Sequence, residues 1–150
     1  MTKELPCVEI YTDGGCVPNP GNGAWVAILV YKGHEKILMG TETQTTNNRM
    51  ELKSAVEALK ALKKPCYVKL YTDSEYLKRG MTEWLPNWLK KDWKGSKGGS
   101  IKNVDLWEEL ATQSQRHKID WIWIKGHNQH PYNERCDKLI KELLRGKSKG

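Results

Sequence analysis

Two stretches of this 150-residue chain finish alike: Tyr11-Thr12-Asp13-Gly14 and Tyr71-Thr72-Asp73-Ser74. The runs before the acids, Cys7 to Thr12 and Tyr67 to Thr72, read as strands. If those strands are parallel neighbours, Asp13 and Asp73 leave the sheet at the same carboxyl edge, where open α/β sheets bind ligands. Two more acids sit on patterned helical faces. Glu51 shares a face with Ala55, Ala58 and Leu62, small and apolar enough to pack on a sheet; the alternative is a first-turn acid that complements the helix dipole. Asp137 shares a face with Ile140 and Leu144, against the alternative of a solvated acid. Should the four converge, their charges repel at short range, which is tolerable only with protonation or bound cations. Carboxylate oxygens suit Mg²⁺ or Mn²⁺. A pair of such ions about 3.5–4 Å apart can activate water and stabilise the leaving oxygen of a phosphodiester.

The elements that must place these acids follow from the pattern. Trp25 to Tyr31 is a second strand, Lys32-Gly33 a hairpin turn, and Lys36 to Gly40 the return strand. A Gly/Pro-rich turn comes earlier, spanning Gly14, Gly15, Pro18, Pro20, Gly21 and Gly23. Thr46-Asn47-Asn48 carries capping chemistry before a helix with Leu52, Val56, Leu59 and Leu62 as its apolar stripe, stopped by Pro65. Short helical pieces lead to Trp88, Ile101 to Arg116 reads as a helix, Ile119 to Ile124 as a strand, and Pro131 to Arg145 as a last helix. The expectation is an α/β fold: a five-stranded mixed sheet, a three-strand antiparallel meander plus parallel strands, flanked by helices. Residues 1–145 are expected to form one domain and residues 146–150, only Gly, Lys and Ser, a flexible tail.

The net charge of +7 favours polyanionic partners, although a basic surface also serves solubility. Cys7, Cys16, Cys66 and Cys136 are scattered, with no metal-finger spacing. No apolar segment suggests a signal sequence or a membrane span, so the expected setting is cytoplasmic, with reduced thiols and no membrane contact.

Five stretches occur in order: Tyr-Thr-Asp-Gly-Gly (11–15), Thr-Thr-Asn-Asn-Arg-Met-Glu-Leu (45–52), Tyr-Thr-Asp-Ser (71–74), Lys-Gly-His (125–127) and Asn-Glu-Arg-Cys-Asp (133–137). Together they resemble the bacterial type 1 ribonuclease H family, from about residue 8 to about residue 144. The resemblance implies the ribonuclease H-like fold and endonucleolytic hydrolysis of the RNA strand of an RNA–DNA hybrid, leaving 5′-phosphate and 3′-hydroxyl ends. It implies Asp13, Glu51, Asp73 and Asp137 as catalytic metal ligands for Mg²⁺, with Mn²⁺ as a substitute. It further implies a role for His127 in proton transfer or product release, although by itself that residue reads as a surface histidine. Imidazole suits the role because its unperturbed pKa lies near 6.5.

Substrate contacts carry over in the same way. Cys16, Asn19, Asn47 and Asn48 match positions that touch the RNA strand, where short-range donors and acceptors read the 2′-hydroxyl. Thr46 and Asn103 match a DNA-phosphate pocket, and Trp84 a contact with the DNA sugar. The segment 84–102 resembles the family's basic protrusion, with Lys90, Lys91, Lys94, Lys97 and Lys102 against one acid, Asp92. Basic residues interleaved with Trp84, Trp88 and Trp93 suit a nucleic-acid surface. Packing is the expectation for Trp88 and Trp107. Four departures from the pattern stand out: Glu75 replaces the usual Gln near the substrate groove, Gln44 a basic residue near the phosphate pocket, Asn128-Gln129 a small-residue pair after the histidine, and Gly15 a frequent Ser or Ala.

The expected partner is an RNA–DNA hybrid, bound by a monomer. A non-catalytic hybrid- or double-stranded-RNA-binding module is the alternative, and it would be expected to have lost one of the acids. None is lost. Another nuclease or strand-transfer enzyme on the same fold would lack the stretches at 47–51 and 125–127.

Overall fold

The computed structural model describes residues 5–93, 101–124 and 130–148. His127, Lys94 and Lys97 lie outside the described residues. The order is β1 (Cys7–Val17), β2 (Gly21–Tyr31), β3 (His34–Thr45), α1 (Asn47–Lys60), β4 (Tyr67–Thr72), α2 (Glu75–Arg79), α3 (Leu85–Lys90), α4 (Val104–Arg116), β5 (Lys118–Trp123) and α5 (Pro131–Ser148). A π-helical turn, Gly80–Trp84, joins α2 to α3.

The sheet order is β3-β2-β1-β4-β5, with β1–β3 an antiparallel meander and β4 and β5 added parallel to β1. This is the mixed five-stranded sheet expected. The turn at Lys32-Gly33 has positive φ at both residues, 50° and 79°, the geometry a two-residue hairpin needs to match strand twist. Strand β1 runs further than its pattern suggests. Gly14 and Gly15, expected in a turn, stay in the ladder opposite Trp25 and Ala24. The turn itself is confined to Pro18, Asn19 and Pro20.

Period-two alternation sends successive β1 side chains to opposite faces. Val8 and Ile10 join Val68, Leu70 and the buried faces of α1 and α4, including Leu52, Leu59, Trp107 and Leu110. Tyr11 lies on the other face with Val26, Ile28, Cys136 and Ile140 beneath α5. Thr46, rather than Asn47 or Asn48, caps α1, its hydroxyl accepting from the N–H of Arg49 at 3.1 Å. Helix α4 starts at Val104, three residues later than expected, because Asn103 turns the chain with a left-handed φ of 59°. Helix α5 continues to Ser148, past Arg145, through residues 146–148 that were expected in a tail.

Candidate active site

The parallel register pairs Thr12 with Thr72, so Asp13 and Asp73 follow side by side at the carboxyl edge. Alternation puts Gly14 toward α1 and Gly15 toward α5. A Cβ on Gly14 would stand 2.4 Å from the carbonyl carbon of Met50 and 2.5 Å from the nitrogen of Glu51. Only glycine allows α1 to press this closely on β1, and that approach delivers Glu51 to the strand end. Glu51 lies in the second turn of α1, and no acid occupies the first, so the dipole-complement alternative does not hold. Ala55 and Ala58 are fully buried behind it.

Asp13, Glu51 and Asp73 each offer an oxygen, and the three atoms lie within 4.8 Å of one another. Asp137 joins the same cleft from α5, paired with Lys141 at 3.0 Å. The cleft encloses about 530 Å³, and Cys16, Asn47, Asn48 and Glu75 also line it.

The electrostatics are unfavourable for bare anions. Burial, then the charge of Asp73, raises the Asp13 carboxyl to about 8, against the opposing hydrogen bond from Gly14 N–H at 2.9 Å. Glu51 is held well above the carboxylate range by burial, then by Asp13 and Asp73. Its Oε1 is shielded from solvent and receives no hydrogen bond. A buried acceptor of this kind costs free energy unless something electropositive meets it. Hard oxygens at this spacing fit a divalent cation.

A second cavity, about 560 Å³, adjoins the first; Asn47, Asn48 and Tyr76 line both. It gathers Asn19, Thr46 and Asn103 with Lys102. Asn19 Oδ1 accepts from the Asn47 N–H at 3.2 Å, tying the β1–β2 turn to the start of α1. The Cys16 thiol is turned inward, within hydrogen-bonding distance of the carbonyl oxygens of Pro18 and Thr45, 3.1 and 3.2 Å away. Glu75 is exposed at the start of α2. Lys90, at the end of α3, and Lys91 after it are exposed and line neither cavity.

Trp84 is half-buried in a cluster of edge-on and tilted rings with Tyr76, Trp88 and Trp107, and the Arg79 guanidinium covers its ring at 5.6 Å. Trp88 and Trp107 pack as expected, Trp107 completely. Gly80 makes this possible: a Cβ there would lie 1.9 Å from the Trp107 ring.

Sequence reasoning passed over three residues. Lys141 neutralises Asp137 across one helical turn, a signal present in the i,i+4 spacing. Tyr76 walls both cavities. Arg49 lies within the 45–52 stretch yet received no role, because its partners Asn103 and Asp105 are more than fifty positions away.

Fold and site together define a class: a mixed α/β sheet whose carboxyl edge clusters acids fit to hold a divalent metal. The RNase H family model matches residues 6–145. Curated relatives include the ribonuclease H of Hahella chejuensis, 56% identical over 144 residues and covering 93% of this chain and 97% of that one. The ribonuclease H of Gluconobacter oxydans is 53% identical, covering 91% of each. Among solved structures, LC9-RNase H1, a type 1 RNase H with the type 2 active-site motif, superposes with a TM-score of 0.86 at 31% identity, over 97% of this chain and 75% of that one. LC11-RNase H1, solved in complex with an RNA/DNA hybrid, shares the fold at 21% identity with a TM-score of 0.68, over 90% and 94% of the two chains. The chain belongs to the ribonuclease H family.

Proposed function

We propose that this protein is an endonuclease that hydrolyses the RNA strand of RNA–DNA hybrids, leaving 5′-phosphate and 3′-hydroxyl ends. One observation carries the reading: one carboxylate oxygen from each of Asp13, Glu51 and Asp73 within 4.8 Å of the others at the sheet's carboxyl edge. A module that only binds nucleic acid gains nothing from clustering like charges where phosphates must approach.

Asp13, Glu51, Asp73 and Asp137 would hold the metal, for which Mg²⁺ is the proposed ion and Mn²⁺ a substitute. Two bound divalent ions would supply water activation and charge stabilisation at the leaving oxygen. The remaining work falls to the chain. Burial and mutual repulsion keep the acids poised to lose protons to a cation, since opposite charge favours the ionised form. Lys141 restrains Asp137 at the mouth of the cleft. Asn19, Asn47 and Asn48 offer amide donors and acceptors suited to a 2′-hydroxyl, which distinguishes RNA from DNA. Thr46 and Asn103 offer donors to a DNA phosphate. His127 is assigned to proton transfer or product release. Lys90, Lys91, Lys94 and Lys97, with Trp84, extend the contact along the duplex through charge and stacking.

The proposal takes residues 1–145 as one domain and the protein as a monomer acting in the cytoplasm. No helix among the described residues is long and apolar enough to cross a membrane. The test is direct: incubate labelled hybrid, duplex DNA and duplex RNA with Mg²⁺. Cleavage of the RNA strand in the hybrid alone is expected. Binding without cleavage would select the non-catalytic alternative, and cleavage of duplex DNA would point to a different nuclease on this fold.

A further inference from the structure

Asn103 stands at the N-cap of α4 but does not cap it. An asparagine there ordinarily accepts a backbone N–H of the first turn. Here its side chain is engaged elsewhere. Asn103 Oδ1 accepts from Arg49 Nη1 at 3.1 Å, and Asn103 Nδ2 donates to the Tyr76 hydroxyl at 3.1 Å. Arginine can only donate, so it fixes which end of the amide is oxygen. The amine must then face Tyr76 and the second cavity. Tyr76 Oη takes one of its two hydrogens and leaves the other for a ligand.

Arg49 is itself held. Its Nη1 and Nη2 bind both oxygens of Asp105 at 3.0 and 2.8 Å, a two-pronged contact that orients the guanidinium plane. Its backbone N–H also binds the Thr46 hydroxyl oxygen, which leaves that hydroxyl's hydrogen to donate. The Arg49 side chain therefore orients one donor, Asn103, of the cavity that also holds Thr46 and Lys102, while Arg49 is not among the residues lining it.

We infer that Arg49 is a positioning residue: its guanidinium locks the Asn103 amide so that it donates, beside the Thr46 hydroxyl, to a phosphodiester oxygen pair of the DNA strand. The inference rests on the hybrid-nuclease reading, since the phosphate is that of the bound duplex. The guanidinium gives two hydrogen bonds to Asp105 and one to Asn103 from a planar fork. A lysine ammonium is a single point and cannot span both with that geometry.

The experiment measures hybrid affinity without divalent ion, together with KM and kcat with Mg²⁺, for the parent, Arg49→Lys, Arg49→Ala, Asn103→Ala and the Arg49→Ala/Asn103→Ala pair. Losing one oriented hydrogen bond to a charged group should weaken binding about tenfold or more. Arg49→Ala and Asn103→Ala should each show that loss in KM with kcat largely retained. The pair should be no worse than Asn103→Ala alone, because Arg49 acts through Asn103. Arg49→Lys should keep the thermal midpoint near the parent's yet lose affinity as Arg49→Ala does, which keeps the test decisive if the alanine variant folds poorly. A hybrid with one neutral methylphosphonate at the gripped DNA position should bind parent and Arg49→Lys equally. Penalties that multiply in the pair, or an Arg49→Lys protein that binds like the parent, would overturn the inference alone. A parent that neither binds nor cuts hybrid would overturn the nuclease reading, and the inference with it.

Discussion

The acid cleft and its neighbouring polar cavity are similar in size and share a wall, yet they are built on opposite terms. In the cleft, Asp13, Glu51 and Asp73 crowd together, and Glu51 Oε1 goes without a hydrogen bond. In the cavity, the Thr46 hydroxyl oxygen is met by the Arg49 N–H and the Asn103 amide donates to Tyr76, and Thr46 and Asn103 still have hydrogens to give. The first is incomplete without a cation; the second is complete and orients neutral donors. On the proposed reading, binding a polyanion and cutting it draw on separate stocks of free energy, and the two can be disturbed separately.

The sharpest break comes from Asp13→Asn. Losing a charged metal ligand should cost more than the roughly 10–100-fold typical of outer-shell changes around a metal. Cleavage should fall to background while hybrid binding without metal holds or improves, as single-turnover assays and titrations would reveal. Substantial Mg²⁺-dependent activity in that variant would remove Asp13 from the ligand set.

His127→Ala should lower kcat by about 10²–10⁴-fold, the usual worth of general acid–base assistance, with hybrid affinity unchanged. An unaltered kcat would return His127 to the status of a surface histidine.

The third effect is on stability. A carboxyl raised in the folded state binds its proton more tightly there than in the unfolded chain. Its contribution is thus full below the ordinary carboxylate pKa of about 4 and is lost as pH rises to about 8, the value for Asp13. Metal-free protein should show a falling thermal midpoint across that window. Saturating Mg²⁺ should flatten the slope, and Asp13→Asn should reduce it. The polar cavity has no carboxylate in its lining, so Asn103→Ala should leave the slope untouched.

Smallest is Glu75→Gln. Removing an exposed negative charge beside the groove should lower KM, most clearly at low salt. It should also cost about 0.3–1 kcal/mol at most in stability, because Glu75 complements the start of α2. A KM that is flat across salt concentrations would place its carboxylate away from the phosphates.

Much of the site was legible because strand ends and helix faces are local patterns. The repeated Thr-Asp endings anticipated that Asp13 and Asp73 meet, and the Ala55–Ala58 face anticipated that Glu51 packs inward. What escaped was contact between distant segments. Gly14 and Gly15 look like turn residues, but their smallness serves the approach of α1 and α5 to a continuing strand, which no window along the chain reveals. Arg49 has no reading of its own within the 45–52 stretch until the start of α4 is beside it. Asn103 reads as an interior residue of α4 until its positive φ makes it the boundary.

The parallel pairing of β1 with β4 joins residues sixty positions apart, and α5 reaches β1 and β2 from the far end of the chain. Contacts of such long sequence separation form late, since their loop-closure entropy must be met first. During synthesis the ribosome has already released β1 through β5 before Asp137 emerges. Asp137 thus joins Asp13, Glu51 and Asp73 last, and a half-made chain lacks the fourth acid of the cleft.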